Sequence, residues 1–296
     1  MKRSVSLLEF QKQYRTEEDC LKVLEQMRWP NGFVCPKCRH NEGYRLSTRP
    51  VVECASCKTH TSITAGTIFH KTRVSLVKWF WMIFLIARDK GGISALRLSK
   101  QLGMHYSTVW HIVHKIRRAM SLRDAEVIKL GGVIQLDEGF FGGYKRKAQV
   151  LVMVEDENKR SGSIVMKRIL GNKVPSGPGI QQVIESHVDN EAQQHFVADY
   201  AGAHRVIKNI GHMLKSYKST PQSAITNLGW VHMAISLAKR FLLGTYHGAV
   251  NRKHLQSYLD EFCYRYNRRS KEGLLHESLI RACLFASPVT YPALTR

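Results

Sequence analysis

The hydrophobic pattern divides the chain into segments of different period. Over residues 5–30, Phe10, Tyr14, Cys20, Leu21, Leu24 and Met27 recur at near-helical spacing, which predicts a helix ended by Pro30. Residues 31–62 lose that period. They hold four cysteines, Gly32, Pro36, Gly43 and Pro50, with short β-prone pieces at 43–47 and 50–53, and lack the apolar mass to fold without a staple. Residues 74–89 (VSLVKWFWMIFLIARD) predict a strongly apolar helix, and residues 91–122 two more helices around Leu102 and Gly103. From Gly131 the period changes again. The runs 131–137, 148–154 and 163–170 are short and β-branched, like adjacent strands. A helix near 178–187, a strand near 194–198 and several helices to about 284 follow, with no fixed-period repeat.

Composition and charge narrow the class. At 296 residues the chain suggests about two domains, and 44% hydrophobic against 23% charged residues gives it real cores to bury. Lys+Arg number 45 and Asp+Glu 23, a formal +22. Residues 1–130 carry 23 against 10, net +13, and residues 131–296 carry 22 against 13, net +9, so both halves are suited to a polyanion. That balance argues against an acidic small-molecule enzyme or a collagen-like fibre and points first to nucleic acid. The amino terminus turns polar and acidic after a short apolar run, unlike a secretory signal. The most apolar stretch, 76–87, contains Lys78 and is short of the roughly 20 residues a bilayer span needs. The expectation is a cytoplasmic, nucleoid-associated protein without membrane contact, whose seven cysteines are thiols or metal ligands.

Three constellations carry candidate chemistry. Cys35-Pro-Lys-Cys38 and Cys54-Ala-Ser-Cys57 are two C-x2-C pairs separated by 15 residues, the spacing of a closed, structural Zn²⁺ site. Cys20, Cys263 and Cys283 lie on apolar helical faces and read as core thiols, and His40 and His60 are surplus to four cysteine ligands. Residues 92–113 read as a helix-turn-helix, with Ser94 and Ser107 as caps and Gly103 in the turn. Its second helix is expected to offer DNA Tyr106, Ser107, Thr108, His111, Lys115, Arg117 and Arg118. In the carboxy-terminal half, Asp137 and Asp199 each close an apolar run, 62 residues apart, and could hold divalent metal from neighbouring strand ends. His232 and Lys239, seven apart, share one face of a helix over 227–243 that has no carboxylate. A basic, aromatic tail with Arg265, Arg268 and Arg269 suits a DNA backbone.

Taken in order, CPKC with a second C-x2-C, the helix-turn-helix, LDEGFFGG, FVADYAGAH, WVHMAISLAKRFLLGTYHG and HLQSYLDEFCYRYNRR resemble the DDE-type transposases of the insertion sequence 1595 family, with its ISXO-type transposase domain. The most specific pieces are Asp137, Glu138, Gly142 and Gly143, and the tail from Gly244 to Arg269. The resemblance implies a multidomain α+β and α/β chain. Its parts would be a helical segment over 1–30, a zinc ribbon over 31–62, a helical linker and helix-turn-helix over 63–128, and a ribonuclease H-like mixed sheet flanked by helices over 129–290. It implies a catalytic set of Asp137, Asp199, His232 in place of the usual Glu or Asn, and Lys239, with Mg²⁺ or Mn²⁺ at Asp137, Asp199 and His232. Glu138 and His247 stay open as further ligands. The implied activity is binding of terminal inverted repeats, hydrolysis at the element end and strand transfer into target, by a homodimer or larger assembly on double-stranded DNA. The competing expectation is an inactive zinc-ribbon and helix-turn-helix regulator, because the third acidic ligand is replaced.

Overall fold

Two capping boxes shape the amino-terminal helices. Ser6 accepts the Glu9 amide while Glu9 returns to the Ser6 amide, starting α1 (Leu7–Gln13). Thr16 and Asp19 repeat the device and start α2 (Glu17–Arg28). The one helix expected over 5–30 is therefore two, since a second cap re-aims the chain at Thr16. The computed structural model describes residues 5–46, 49–142, 147–169, 177–218, 220–248 and 250–295.

A small antiparallel sheet follows, β1 (Gly43–Arg45), β2 (Val51–Cys54) and β3 (His60–Ser62). Then comes α3 (Leu76–Arg88), capped by Ser75 and buried along Trp79, Phe80, Ile83 and Phe84. The helix-turn-helix is α4 (Ala95–Leu102) and α5 (Tyr106–Val127). Ser94 caps α4, and Gly103 takes the left-handed conformation, φ 58°, that ends it. Ser107 is not the cap of α5. The helix already includes Tyr106, and the Ser107 hydroxyl pairs with His105 Nδ1 at 2.8 Å.

The second half is built on β4 (Val133–Phe141), β5 (Ala148–Asp156), β6 (Ser161–Arg168), α6 (Gly177–His187), β7 (His195–Asp199), a 3₁₀ turn over Gly202–Arg205, α7 (Val206–Asn209), β8 (Met213–Tyr217), α8 (Pro221–Asn227), α9 (Gly229–Tyr246) and α10 (Leu255–Tyr266). The five strands run in the order β6-β5-β4-β7-β8. β4, β5 and β6 form an antiparallel meander, and β7 and β8 add in parallel to the other side of β4. Strand alternation sends Ile134, Leu136, Phe196 and Ala198 into a core closed by Ile180, Ile184 and Ile207. Phe141, Val150, Val152 and Val154 enter a second core under α9 and α10, against Val231, Ala234, Ala238, Leu255 and Leu259. The edge strand β8, half-exposed MLKSY, has no apolar alternation, and the sequence gives no sign of it. The expected strand over 163–170 begins at Ser161, and its last residue, Leu170, lies outside the described residues, as does Gly143.

The chain ends in α11 (Leu275–Phe285) and α12 (Tyr291–Thr295). It forms two compact units, residues 1–122 with 271–296, and residues 123–270. Residues 271–290, drawn above with the ribonuclease H-like domain, go with the amino-terminal unit because α11 packs on α3 and α2 through buried Leu279, Ile280 and Cys283. Among the described residues, no helix is long and apolar enough to cross a membrane.

Candidate metal centre and active site

The two cysteine pairs sit on matching knuckles. Cys35 N–H bonds His40 O and Arg39 N–H bonds Cys35 O, and the same two bonds join Cys54 to Thr59 and Lys58 to Cys54. Arg39 and Lys58, each following the second cysteine of its pair, take positive φ of 64° and 57°. The knuckles bring all four Sγ atoms within 4.8 Å of one another, with Cys35 and Cys57 3.6 Å apart and Cys38 and Cys54 3.5 Å apart. Zn–S bonds of 2.3 Å at tetrahedral corners need sulfurs about 3.8 Å apart, so the donor set fits zinc. Hydrogen bonding with Thr59 holds the Cys57 thiol down to about 6, while the crowding of the other cysteines pushes the Cys38 thiol up to about 12. His40 and His60 turn instead toward Glu42 and Glu53. Cys20, Cys263 and Cys283 are buried among apolar neighbours, as core thiols are.

On α5, Tyr106, Ser107 and Arg118 are exposed, and Thr108, His111 and Lys115 half-buried. Burial pushes the Lys115 ammonium and the His111 imidazole below their ordinary values. Arg117 does not belong to the exposed set. It is 2% exposed, with its guanidinium 3.4 Å from His114 Nε2, because position 117 falls beside Val113 and Ile116 on the buried face. In the basic tail the guanidinium groups of half-buried Arg268 and exposed Arg269 are engaged within their own unit. Arg268 bonds Asp124 at 2.6 Å and Tyr264 O at 3.0 Å and lies 3.6 Å over the Tyr264 ring. Arg269 reaches Ser161 O and Gly162 O from over the Tyr266 ring. Both guanidinium groups tie the end of α10 to unit 123–270, while Arg265 is half-buried.

The acidic site starts from strand register. The parallel ladder pairs Val133 with His195 through Leu136 with Ala198, so the next step on each strand is Asp137 and Asp199. The 62-residue spacing read from the sequence is this register. Asp137 is not at the end of its strand as expected. β4 runs on to Phe141 because β5 keeps pairing with it, and only the partnership with β7 stops there. Alternation turns Asp137 toward α9, together with Gln135, Gly139 and Phe141, and Asp199 toward the same face as Val197. Gly139 lets the helix lie close: a Cβ there would stand 2.5 Å from the Phe141 ring and 3.4 Å from Ile235.

α9 is preceded at its cap by Leu228, which has no side-chain acceptor for the first turn. Gln135 supplies it from β4. Its Oε1 accepts the Trp230 and Val231 amides at 2.9 and 3.1 Å, and its Nε2 donates to Asp156 at 2.9 Å. One residue further on, His232 Nε2 meets Asp137 Oδ2 at 2.9 Å. Asp137 Oδ1 accepts the Glu138 amide at 2.7 Å. Burial, with the Glu138 and Asp199 carboxylates behind it, raises the Asp137 carboxyl above its ordinary value against the pull of that amide and of His232. Lys239 is exposed on α9, with Nζ 5.8 Å from the Phe141 ring centre, about 10 Å along the helix from His232.

Glu138 points to the opposite face and does not join Asp137. Its Oε1 lies 2.9 Å from Nε2 of His204, a fully buried residue that sequence reasoning gave no role. His204 Nδ1 lies 3.3 Å from Asp199 O and 3.2 Å from Asp199 Oδ1. That Oδ1 is buried, and its contact with the His204 ring is an ion-pair approach without hydrogen-bond alignment. Burial works against a charged imidazole, but the Glu138 and Asp199 acceptors outweigh it and raise the His204 pKa. His247 caps the far end of α9, some fifteen residues from His232, and takes no part. Among the described residues the four cysteines are the one group of three or more donors gathered closely enough for a metal; Asp137, Asp199 and His232 do not close into a second.

A meander of three antiparallel strands, two parallel strands added beside the first, and aspartates on the two central parallel neighbours define a ribonuclease H-like fold of the kind that carries DDE chemistry. Residues 15–60 match the transposase zinc-ribbon domain, and residues 129–267 match the ISXO2-like transposase domain. Both matches fall in the insertion sequence 1595 family of transposases, and the chain belongs to it. An uncharacterized protein in transposable element ISH50 of Halobacterium salinarum is 30% identical over 130 residues, a stretch covering 43% of this chain and 42% of that protein. The chain thus spans less than half the length of that relative. The Mos1 transposase catalytic domain with raltegravir and Mn superposes with a TM-score of 0.33 at 11% identity, over 57% of this chain and 92% of that one. The Mos1 strand transfer complex gives 0.30 at 10%, over 71% and 78%. Superpositions this loose add nothing to the fold assignment, which rests on strand order and on the matched domains.

Proposed function

We propose that the protein is the transposase of an insertion sequence: it binds the terminal inverted repeats, hydrolyses a phosphodiester at the element end and transfers the freed 3′-hydroxyl into target DNA. The observation that carries this is the matched register of Asp137 and Asp199 on one face of adjacent parallel strands, with His232 on the helix that covers them. Two carboxylates offer the oxygen donors that Mg²⁺ and Mn²⁺ prefer, and an imidazole as third donor favours Mn²⁺. The Asp199 side chain, 32% exposed on the strand beside Asp137, is open to a cation. Bound there, a divalent metal supplies activation of the attacking oxygen and stabilisation of the leaving one. The chain's own residues hold and aim it. Asp137 and Asp199 are the oxygen donors, and His232 is the third ligand or fixes the Asp137 rotamer by its hydrogen bond. Lys239, exposed along the same helix, contacts a phosphate of the bound end.

DNA reading is assigned to the zinc ribbon and to α5, through Tyr106, Ser107 and half-buried Thr108 at its start and exposed Arg118 further along, within a chain of net charge +22. The structural ion at Cys35, Cys38, Cys54 and Cys57 is Zn²⁺. Two ends must be joined in one event, so the working form is a dimer or larger assembly on DNA, in the cytoplasm with the nucleoid.

One observation favours the second reading, an inactive DNA-binding regulator: His232 bonds Asp137 directly, and the three donors do not close into a cluster. A cleavage and joining assay separates the two. It uses a labelled duplex carrying the element's own terminal repeat, in Mg²⁺ and in Mn²⁺, with wild type, Asp137→Ala and His232→Ala. Cutting and joining by wild type, with Asp137→Ala binding the end but doing neither, supports the transposase. Tight end binding by wild type without cutting in either metal selects the regulator.

A further inference from the structure

The Glu138–His204 pair is a buried polar contact beside the site that the proposed chemistry does not use. His204 has no exposed side-chain surface and Glu138 little, so neither is free to meet DNA. An imidazole and a carboxylate are costly to bury, and they stay buried only where each satisfies the other or a further group. Here the further group is Asp199. One edge of the ring meets Glu138 on β4, and the other meets the backbone carbonyl and Oδ1 of Asp199 on β7. The contact forms just where the β4–β7 ladder has stopped, so the main chain at Asp199 is paired with Tyr217 of β8 and no longer with β4. Phe140, two residues beyond Glu138 on the same face, is exposed and offers no packing in its place. Between Asp199 and His204 the chain is Tyr-Ala-Gly-Ala, with Tyr200 75% exposed and Gly202 open to solvent on its side-chain side, which adds little other restraint.

We infer that Glu138 and His204 form a brace that fixes the rotamer of Asp199 against β4, so that the site holds its divalent metal. They are positioning residues and touch neither metal nor DNA. The inference rests on the metal-dependent reading above. Outer-shell partners of metal ligands typically contribute about 10- to 100-fold in metal affinity, and an effect of that size is expected here.

The test uses the full zinc-loaded chain and Mn²⁺ alone as the probe. Mn²⁺ binding is followed by the loss of the free-ion electron paramagnetic resonance signal, with Asp199→Ala as the reference for the acidic site. Glu138→Ala and His204→Ala should weaken the Asp199-dependent binding about 10- to 100-fold. Glu138→Gln, whose amide oxygen still accepts from His204, should restore most of it. A merely structural role would lower the melting temperature of all three without that split. If His204→Ala unfolds the domain, the Glu138→Ala and Glu138→Gln pair carries the comparison. Mn²⁺ binding by Glu138→Ala equal to wild type overturns the brace and leaves the transposase reading standing. Wild type that shows no Asp199-dependent binding overturns both.

Discussion

Gln135 gives the sharpest stability prediction, because its three hydrogen bonds can be counted and its substitution leaves volume nearly unchanged. Replacing it in Gln135→Leu strips the acceptor from the Trp230 and Val231 amides and the donor from Asp156. A buried polar group left unsatisfied costs about 1–3 kcal/mol. Three such groups at the low end, since the first turn of a helix can recruit some water, come to about 3–5 kcal/mol. The leucine side chain, at a position only 3% exposed, gives back about 1.5–3 kcal/mol of apolar burial. The net expectation is a loss of about 2 kcal/mol from unit 123–270, a large share of a domain's usual 5–15 kcal/mol.

Native-state hydrogen exchange is the direct assay. The Trp230 and Val231 amides should lose protection by more than the rest of α9, since their partner is gone and not merely the global stability. The start of α9 carries His232, so joining in the assay above should fall as the imidazole loses its place beside Asp137. Unchanged protection of those two amides, or a protein as stable as wild type, would refute the idea that Gln135 sets the helix on the strand.

Other consequences are as definite. Cys35→Ser should lower bound zinc and expose residues 31–62 to proteolysis, because that segment has little core besides the ion; zinc content and limited digestion read both. Arg268→Ala should destabilise the protein by about 3 kcal/mol, since it leaves Asp124, at 15% exposure, with the Asn267 amide at 3.3 Å but no counter-charge from Arg268, while the salt dependence of DNA binding stays that of wild type; urea unfolding and a salt titration check the two halves. Arg118→Ala, which removes an exposed charge of α5, should instead reduce that salt slope by about one. The raised pKa of His204 means the folded state holds its proton more tightly than the unfolded chain. Its stabilising contribution is therefore full below the ordinary value of about 6.5 and fades as pH rises through the raised one. Without added divalent metal, the gap in melting temperature between wild type and His204→Asn should be wide at acid pH and narrow in alkali; a gap independent of pH would sink it.

How much of this could be read in advance follows from what each feature leaves in the sequence. The zinc site is fully legible because two C-x2-C knuckles are local: each folds four residues, and the ion does the rest. The helix-turn-helix and the central strands are legible because a buried face imposes a period. β8 leaves no such mark, being an edge strand fixed by main-chain pairing to β7 and not by side-chain burial. The break at Thr16 was signalled by its capping box but masked by apolar spacing that continues across it. Arg117 and Arg268 mislead because composition counts a guanidinium as surface: Arg117 lies on the buried face of α5, and Arg268 lays its flat face on the Tyr264 ring while its fork reaches Asp124 and the Tyr264 main-chain oxygen.

The acidic site divides along the same line. Asp137 and Asp199 are each visible as a carboxylate closing an apolar run, but what makes them a pair is an equal count of residues from two strand starts, Val133 and His195, and that count has no meaning until the strands are known to be parallel neighbours. His232 is placed by Gln135, a polar residue inside VIQLD whose only sequence signal is that it interrupts an apolar strand. The supports of a site are therefore less legible than its ligands. A ligand must be of one chemical type, while a support such as His204 or Gln135 needs only to present a hydrogen bond at the right point, and its partner lies 66 or 95 residues away in the chain.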